Sequence, residues 1–248
     1  ITSRKNPLLV QIRRLASSRG ARRSAGMFLG DGVKLLEEAL KWGAPLETVV
    51  YSEGLDGPEL PPEVRTVRVP EDVMASISPM ESPQGALFLC RMWDTAPPPR
   101  LEGGRYLVLD GLQDPGNVGT IWRTADALEA DGLLLVHGCA DPFGPKVVRA
   151  TMGACFRLPV WETGPERLAG LLERSGLALY ATALREDTED IKTADLSRSA
   201  VVIGSEGRGV SPELLAMSQR ALKIPMRERC ESLNAAAAAA VVLWEMGR

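Results

Sequence analysis

Apolar positions along the chain follow two spacings. Dense apolar or β-branched runs occupy residues 27–29, 46–51, 86–91, 106–109, 132–136, 177–183, 200–203 and 222–224, and each predicts a β-strand. Elsewhere apolar residues recur every three or four positions. Leu8, Leu9, Ile12, Leu15 and Ala16 outline a helix near the start, and Val33, Leu36, Ala39 and Leu40 outline another over 31–42. Further helices are predicted at 71–77, 118–129, 145–152, 165–174, 212–218 and 232–246. Ser232 is the candidate N-cap of the last one, and its alanine run 235–240 makes a smooth face able to pack close to a neighbour. Strands alternating with helices predict an α/β fold with a parallel sheet.

The rhythm breaks at Trp93-Asp-Thr-Ala-Pro-Pro-Pro-Arg-Leu-Glu-Gly-Gly104, a stretch that neither helix nor sheet tolerates. Residues 1–95 therefore predict a small α/β module, 96–104 a semi-stiff linker and 105–248 a larger α/β domain.

Composition changes the picture little: 248 residues, 45% hydrophobic and 25% charged, fit a globular protein. The apolar C-terminal helix is too short to span a bilayer, and no charged-then-apolar leader opens the chain. No membrane partner is expected. Cysteines stand at 90, 139, 155 and 230 without C-x-x-C spacing, and His137 is the one histidine. They read as free thiols in a reducing cytoplasm, and no metal site is expected. His137 closes the apolar run 133–136 and reads as a strand-end residue.

Net charge, at −3, argues against a nucleic-acid partner, but its distribution does not. Arg4, Lys5, Arg13, Arg14, Arg19, Arg22 and Arg23 all precede the first acid, Asp31. An amphipathic helix can bury its leucines and still present arginines to phosphates. Arg4, Lys5, Arg13, Arg14, Arg22, Arg23 and, further on, Arg149 are the candidate contacts to RNA or DNA. Aromatics make up only 5% of the chain, so recognition by shape and phosphates is expected over base stacking.

Candidate chemistry sits in three segments, each a strand that breaks into a polar or glycine-rich loop and then enters a helix. Such strand ends hold ligands in open α/β sheets. In Leu109-Asp-Gly-Leu-Gln-Asp-Pro-Gly-Asn-Val-Gly-Thr-Ile-Trp-Arg-Thr-Ala125, Asn117 suits either a helix cap or a site, and Arg123 returns toward the Asn117 face or pairs with Asp126. In Gly204-Ser-Glu-Gly-Arg-Gly209, glycines allow a tight turn, and Glu206 suits either orientation of a polar group or capping of the helix before Pro212. The loop matches neither a Walker A motif nor G-x-G-x-x-G.

Together these segments resemble the three motifs of the SpoU (TrmH-like) RNA 2′-O-ribose methyltransferases of the SPOUT superfamily. The carriers are Asp114-Pro-Gly-Asn-Val-Gly-Thr-Ile-Trp-Arg-Thr-Ala125, Ile203-Gly-Ser-Glu-Gly-Arg-Gly-Val-Ser211, and Ile224-Pro-Met226 with Glu231-Ser-Leu-Asn-Ala-Ala236. Asp141-Pro-Phe-Gly-Pro-Lys-Val-Val-Arg-Ala-Thr-Met-Gly-Ala154 resembles the family's connecting segment. Asn6-Pro-Leu, the arginine-rich helix and Phe28-Leu-Gly-Asp-Gly-Val-Lys-Leu-Leu36 resemble, more loosely, an RNA-binding module placed ahead of it.

The resemblance implies a deep trefoil knot, S-adenosylmethionine as methyl donor, a homodimer, and structured RNA as substrate, with ribosomal RNA of the 23S type expected over transfer RNA. It implies catalytic positions at Asn117, Arg123, Glu206, Ser232 and Asn234. Donor contacts are implied at Thr182, Gly204, Glu206, Gly207, Ile224, Met226, Ser232 and Leu233. The family usually has glycine shortly after Ile-Pro-Met, where this chain has Glu228 and Arg229. A guanidinium holds its proton tightly, so Arg123 suits stabilisation of an alkoxide, and Glu206 or a water the proton transfer. The competing readings are a transfer-RNA 2′-O-methyltransferase, a non-catalytic knotted RNA-binding or ribosome-assembly protein, and a dinucleotide enzyme, the last weakened by its missing fingerprint.

Overall fold

The computed structural model describes residues 1–183, 187–227, 229 and 232–248. Glu228, Cys230 and Glu231, singled out above, lie outside the described residues. In chain order the elements are α1 (Pro7–Ser17), α2 (Arg19–Ala25), β1 (Met27–Asp31), α3 (Val33–Lys41), β2 (Leu46–Ser52), β3 (Arg65–Val69), α4 (Glu71–Ile77) and β4 (Ala86–Arg91). Then come β5 (Arg105–Asp110), α5 (Pro115–Ala127), β6 (Gly132–Val136), α6 (Pro145–Ala150), β7 (Val160–Glu162), α7 (Pro165–Ser175) and β8 (Ala178–Thr182). β9 (Glu189–Asp190), β10 (Ser199–Gly204), α8 (Pro212–Met217), β11 (Arg220–Lys223) and α9 (Ala235–Met246) follow.

Two compact units result. One is Ile1–Trp93 with Asp141–Phe156, the other Asp94–Ala140 with Arg157–Arg248. The segment Asp141–Phe156 thus groups with the first unit, although the sequence division put it inside 105–248. Its side chains explain this. The Phe143 ring lies 5.3 Å from Phe28 and 4.7 Å from Trp93, and Asp141 accepts two hydrogen bonds from Arg22. The stretch 96–104 groups with the second unit, where it is tied down. Leu101 is buried and its N–H donates to Ser175 Oγ at 2.9 Å, while Arg174 donates to the Pro99 carbonyl.

In the first unit the sheet order is β1-β4-β2-β3, antiparallel except for the β2–β3 pair. Strand β3 was not expected. Val67 and Val69 face inward while Arg65, Thr66 and Arg68 face water, too sparse an apolar pattern to stand out. The single basic helix expected near the start is two helices: Ser18 is extended, and its side chain accepts from Ala21 N–H to cap α2. Helix α3 begins at Val33, not Asp31, because Asp31 is still paired in β1 and Gly32 turns the chain at φ 112°.

Arg22 corrects an expectation. It is 5% exposed; Nε and Nη2 donate to Asp141 Oδ2 at 2.9 and 2.7 Å, and Nη1 donates to the Leu15 carbonyl at 2.5 Å. Its donors are used internally, so it is a structural ion-pair partner and not a phosphate contact.

The second unit is built on a parallel sheet, β7-β6-β5-β10-β8-β11-β9 among the described residues. The α/β fold with a parallel sheet expected from the pattern is therefore the observed one. Val108, Val202, Leu134 and Leu179 meet Leu171 and Leu214 in its core. Strands β6 and β10 are buried along almost their whole length, as parallel strands covered on both faces must be. Helices begin on a repeated device, a side-chain acceptor followed by proline: Asp114 with Pro115, and Ser211 with Pro212. Hence α5 starts at Pro115, ahead of the predicted 118. Helix α9 starts at Ala235 and is capped by Asn234, not by Ser232.

Among the described residues no helix is long and apolar enough to cross a membrane, and no group of His, Cys, Asp and Glu could hold a metal ion. Cys90, Cys139 and Cys155 are buried. Burial pushes the Cys90 thiol up to about 12 and the Cys139 thiol up to about 11, so neither forms a thiolate near neutrality.

Removing one partner of a buried pair leaves the other charge uncompensated. Arg22→Ala is expected to cost about 3–5 kcal/mol of unfolding free energy, whereas exposed Arg14→Ala should stay within about 0.5 kcal/mol; urea melts of both variants make the comparison.

Candidate active site

The second unit's sheet brings the three sequence segments to one edge. Gly204, the last residue of β10, is in register with Asp110, the last residue of β5. The chain therefore leaves both strands side by side, into the loop before α5 and the loop before α8. The second loop closes on itself: Ser205 and Gly209 exchange backbone hydrogen bonds at 3.1 and 2.8 Å. Gly204 is required there, since a Cβ would lie 2.1 Å from the Gly209 backbone. This turn presents Glu206.

Three side chains then join the segments. Asn234 Oδ1 accepts from the N–H groups of Ala236 and Ala237 at 2.9 and 3.3 Å, capping α9. With the oxygen committed to the helix, its Nδ2 faces outward and donates to Asn117 Oδ1 at 3.1 Å. That fixes the Asn117 amide in turn, so its Nδ2 donates to the Glu206 carboxylate. Asn117 is not the cap of α5. Asp114 is, accepting from the Asn117 N–H at 2.7 Å, which frees the Asn117 side chain for the relay. Glu206 does not cap the following helix either; Ser211 does.

Next to Glu206 is a cavity of ≈ 270 Å³, lined by Thr182, Ile203, Gly204, Ser205, Glu206, Leu222, Ile224, Met226, Ser232, Leu233 and the start of α9. Its walls are mainly aliphatic and its polar groups sit at strand ends, the make-up of a small-ligand site. Thr182 Oγ1 is already spent on the Val202 carbonyl, at 2.8 Å. Of the positions singled out for a ligand, Thr182, Gly204, Glu206, Ile224, Met226, Ser232 and Leu233 line this cavity, and Gly207 does not.

Arg123 is the residue the fold does not bring in. At about 100° per residue it stands about 120° short of two full turns from Asn117, so the two leave α5 in different directions. It is exposed, lines no part of the cavity, and makes no hydrogen bond or ion pair among the described residues. Nor does it pair with Asp126, which accepts from Arg157 Nε and Nη2 at 2.9 and 2.7 Å.

The basic residues of the first unit divide. Lys5 and Arg14 flank a groove of ≈ 590 Å³ between α1 and α2, with exposed Val10 on its wall. Arg4 pairs with Asp72 at 2.8 Å, both well exposed, and Arg13 donates to the Arg4 carbonyl. The Arg23 guanidinium lies 5.3 Å from the Phe143 ring centroid. Arg149 is half-buried and its charge offsets Asp31, whose carboxyl burial holds above the ordinary carboxylate range.

Sequence reasoning missed Asp110 and the role of His137. Asp110 is buried at the end of β5, His137 sits 2.6 Å from it, and the Ser211 N–H donates to it. An acid closing an apolar strand beside the first motif was the available signal.

With this geometry in hand, comparison with known proteins is decisive. The SpoU rRNA Methylase family profile matches residues 104–244, and an MRM3-like substrate binding domain profile matches residues 6–87. The chain belongs to the SpoU rRNA methylase family. A 23S rRNA (guanosine(2553)-2′-O)-methyltransferase of Bacillus subtilis is 32% identical over 99% of this chain and 98% of its own. A 23S rRNA (uridine(2479)-2′-O)-methyltransferase of Streptomyces viridochromogenes is 32% identical over 100% of this chain and 91% of its own. The crystal structure of an AdoMet-bound rRNA methyltransferase from Sinorhizobium meliloti superposes with a TM-score of 0.87 at 31% identity, covering 99% and 96% of the two chains. The segments joined by Asn234, Asn117 and Glu206 all lie within the matched residues 104–244.

Because Asn234 both caps α9 and orients Asn117, Asn234→Ala should lower unfolding free energy by about 1 kcal/mol. Its urea midpoint should fall while the slope of the transition stays unchanged.

Proposed function

We propose that this protein transfers a methyl group from S-adenosylmethionine to a ribose 2′-OH of ribosomal RNA. The observation that carries the reading is the hydrogen-bonded set Asn234, Asn117 and Glu206 beside an aliphatic cavity in a SpoU-family domain. Ribosomal RNA of the 23S type is favoured because relatives matched over nine-tenths or more of both chains carry that substrate in their names.

The cavity suits the donor. Ile203, Leu222, Ile224 and Leu233 offer an apolar bed, and Gly204 lets the backbone come close. Thr182, Met226 and Ser232 complete its wall. When bound, S-adenosylmethionine supplies an electrophilic methyl on a sulfonium sulfur. The protein's work is then positioning and charge management. Glu206, its carboxylate already aimed by Asn117, accepts the proton of the 2′-OH directly or through a water. Asn117 and Asn234 hold that carboxylate in one orientation, and Ser232 donates at the cavity rim. Arg123 stabilises the emerging alkoxide and the neighbouring phosphate while keeping its own proton.

Arg123 reaches the reaction from a second copy of the chain. Two observations support a homodimer: Arg123 lies outside its own chain's hydrogen-bonded set, and α9 is apolar nearly all round, with Trp244 63% exposed. The trefoil knot of the SPOUT superfamily belongs to the same reading, as does a cytoplasmic location, which suits the buried thiols. Lys5, Arg4, Arg13, Arg14, Arg23 and Arg149 are the proposed RNA contacts of the first unit. Arg22 is withdrawn from that set.

The test is transfer of radiolabelled methyl to unmodified ribosomal RNA and, separately, transfer RNA, followed by nucleoside analysis. A 2′-O-methyl nucleoside in the ribosomal pool is expected; label on a base, or in transfer RNA only, would overturn the assignment. Arg123→Ala should lower kcat by about 100–1,000-fold while donor affinity stays within about threefold. Near-normal turnover would remove Arg123 from the mechanism.

A further inference from the structure

The same sheet edge carries a second charged cluster that the proposed chemistry does not use. Asp110 Oδ1 lies 2.6 Å from His137 Nδ1, and Asp110 Oδ2 accepts the Ser211 N–H at 2.6 Å. The other ring nitrogen, His137 Nε2, lies 3.3 Å from Glu213 Oε2 in the first turn of α8. His137 has φ 53°, in the left-handed region that residues other than glycine rarely enter. Gln113 donates to the Gly138 carbonyl at 2.6 Å and holds the bend. The backbone is thus turned to set one imidazole between two carboxylates, Asp110 from β5 and Glu213 from α8, the charged groups that face it.

The far end of the Glu206 loop is tied to this cluster. The loop leaves β10 at Gly204, in register with Asp110, and ends at Ser211, which Asp110 holds directly. Ser211 also caps α8, the helix that carries Glu213. We infer that His137 is a positioning residue for Glu206: bridging Asp110 and Glu213, it fixes the Ser211 end of the loop that carries this carboxylate. The inference rests on the reading of Glu206 as part of the active site.

The charge state of His137 gives the clamp a direction. The hydrogen bond to Asp110, chiefly, holds its pKa above the ordinary 6.5, partial burial opposes, and Glu213 adds to the rise. A raised folded pKa stabilises the folded arrangement below the ordinary value, and that contribution is lost as pH rises through the raised one. The clamp is therefore closed below the raised pKa and opens as pH rises through it.

His137 is the one histidine of the chain, so the imidazole C–H signals in NMR report its titration without residue assignment. Two variants probe it in the full-length protein. Glu213→Gln removes one carboxylate from a half-exposed position, and His137→Asn removes the ring while keeping a residue that tolerates positive φ. In Glu213→Gln the titration midpoint should move down toward 6.5, and the fall of kcat with rising pH should move with it. Both variants should speed amide exchange over residues 204–211 at fixed pH by about tenfold and lower kcat by about 10–100-fold with KM for the donor nearly unchanged. Unchanged exchange in both variants, or a shifted midpoint with an unshifted kcat profile, would overturn the inference. The exchange measurement needs no turnover. A wild-type protein without methyl transfer would therefore sink the enzymatic reading, while exchange alone still decided for or against the clamp.

Discussion

Asn234 can offer its amide hydrogens to Asn117 only because its oxygen is already taken by the first turn of α9. A primary amide has two unlike ends, and fixing one fixes the other. The helix cap therefore dictates which way Asn234 points, Asn234 dictates Asn117, and Asn117 dictates where Glu206 rests. Helix capping, ordinarily a matter of stability, here sets the orientation of a carboxylate far away in sequence.

Such a relay needs its three segments within hydrogen-bond reach, and the sheet provides that. Pairing of β5 with β10 places Asp110 beside Gly204, so the loops that follow start as neighbours. Packing of α5 against α9 brings Asn117 and Asn234 onto adjacent helix starts. The short turn closed by Ser205 and Gly209 then leaves Glu206 little freedom. Each step is ordinary physics: parallel pairing, close packing of alanine-rich helix faces, and glycine where no Cβ fits.

Much of this was legible in the sequence. Strands β5, β6 and β10 at the centre of the sheet are dense apolar runs because both their faces are covered, and dense runs are conspicuous. Strand β3, with two valines among polar residues, and the very short β7 and β9 carried no comparable pattern. The motifs marked Asn117, Glu206 and Asn234, but not their division of labour, because Asn117, Glu206 and Ser232 were themselves candidate caps, whereas Asp114, Ser211 and Asn234 do the capping. Arg22 looked like its basic neighbours; only the fold shows Asp141 waiting for it. Arg123 was expected on the Asn117 face, but its helical phase turns it elsewhere. His137 gave no periodic signal at all, since its importance lies in contacts with β5 and α8.

The most direct test of this account is a double-mutant cycle on methyl-transfer kcat with Asn117→Ala and Asn234→Ala. If the two amides act as one oriented chain, the first break already disorients Glu206. The double variant should then lose little more than the worse single one, a strongly non-additive result. Losses that simply multiply would mean that the amides act independently, and would contradict the relay.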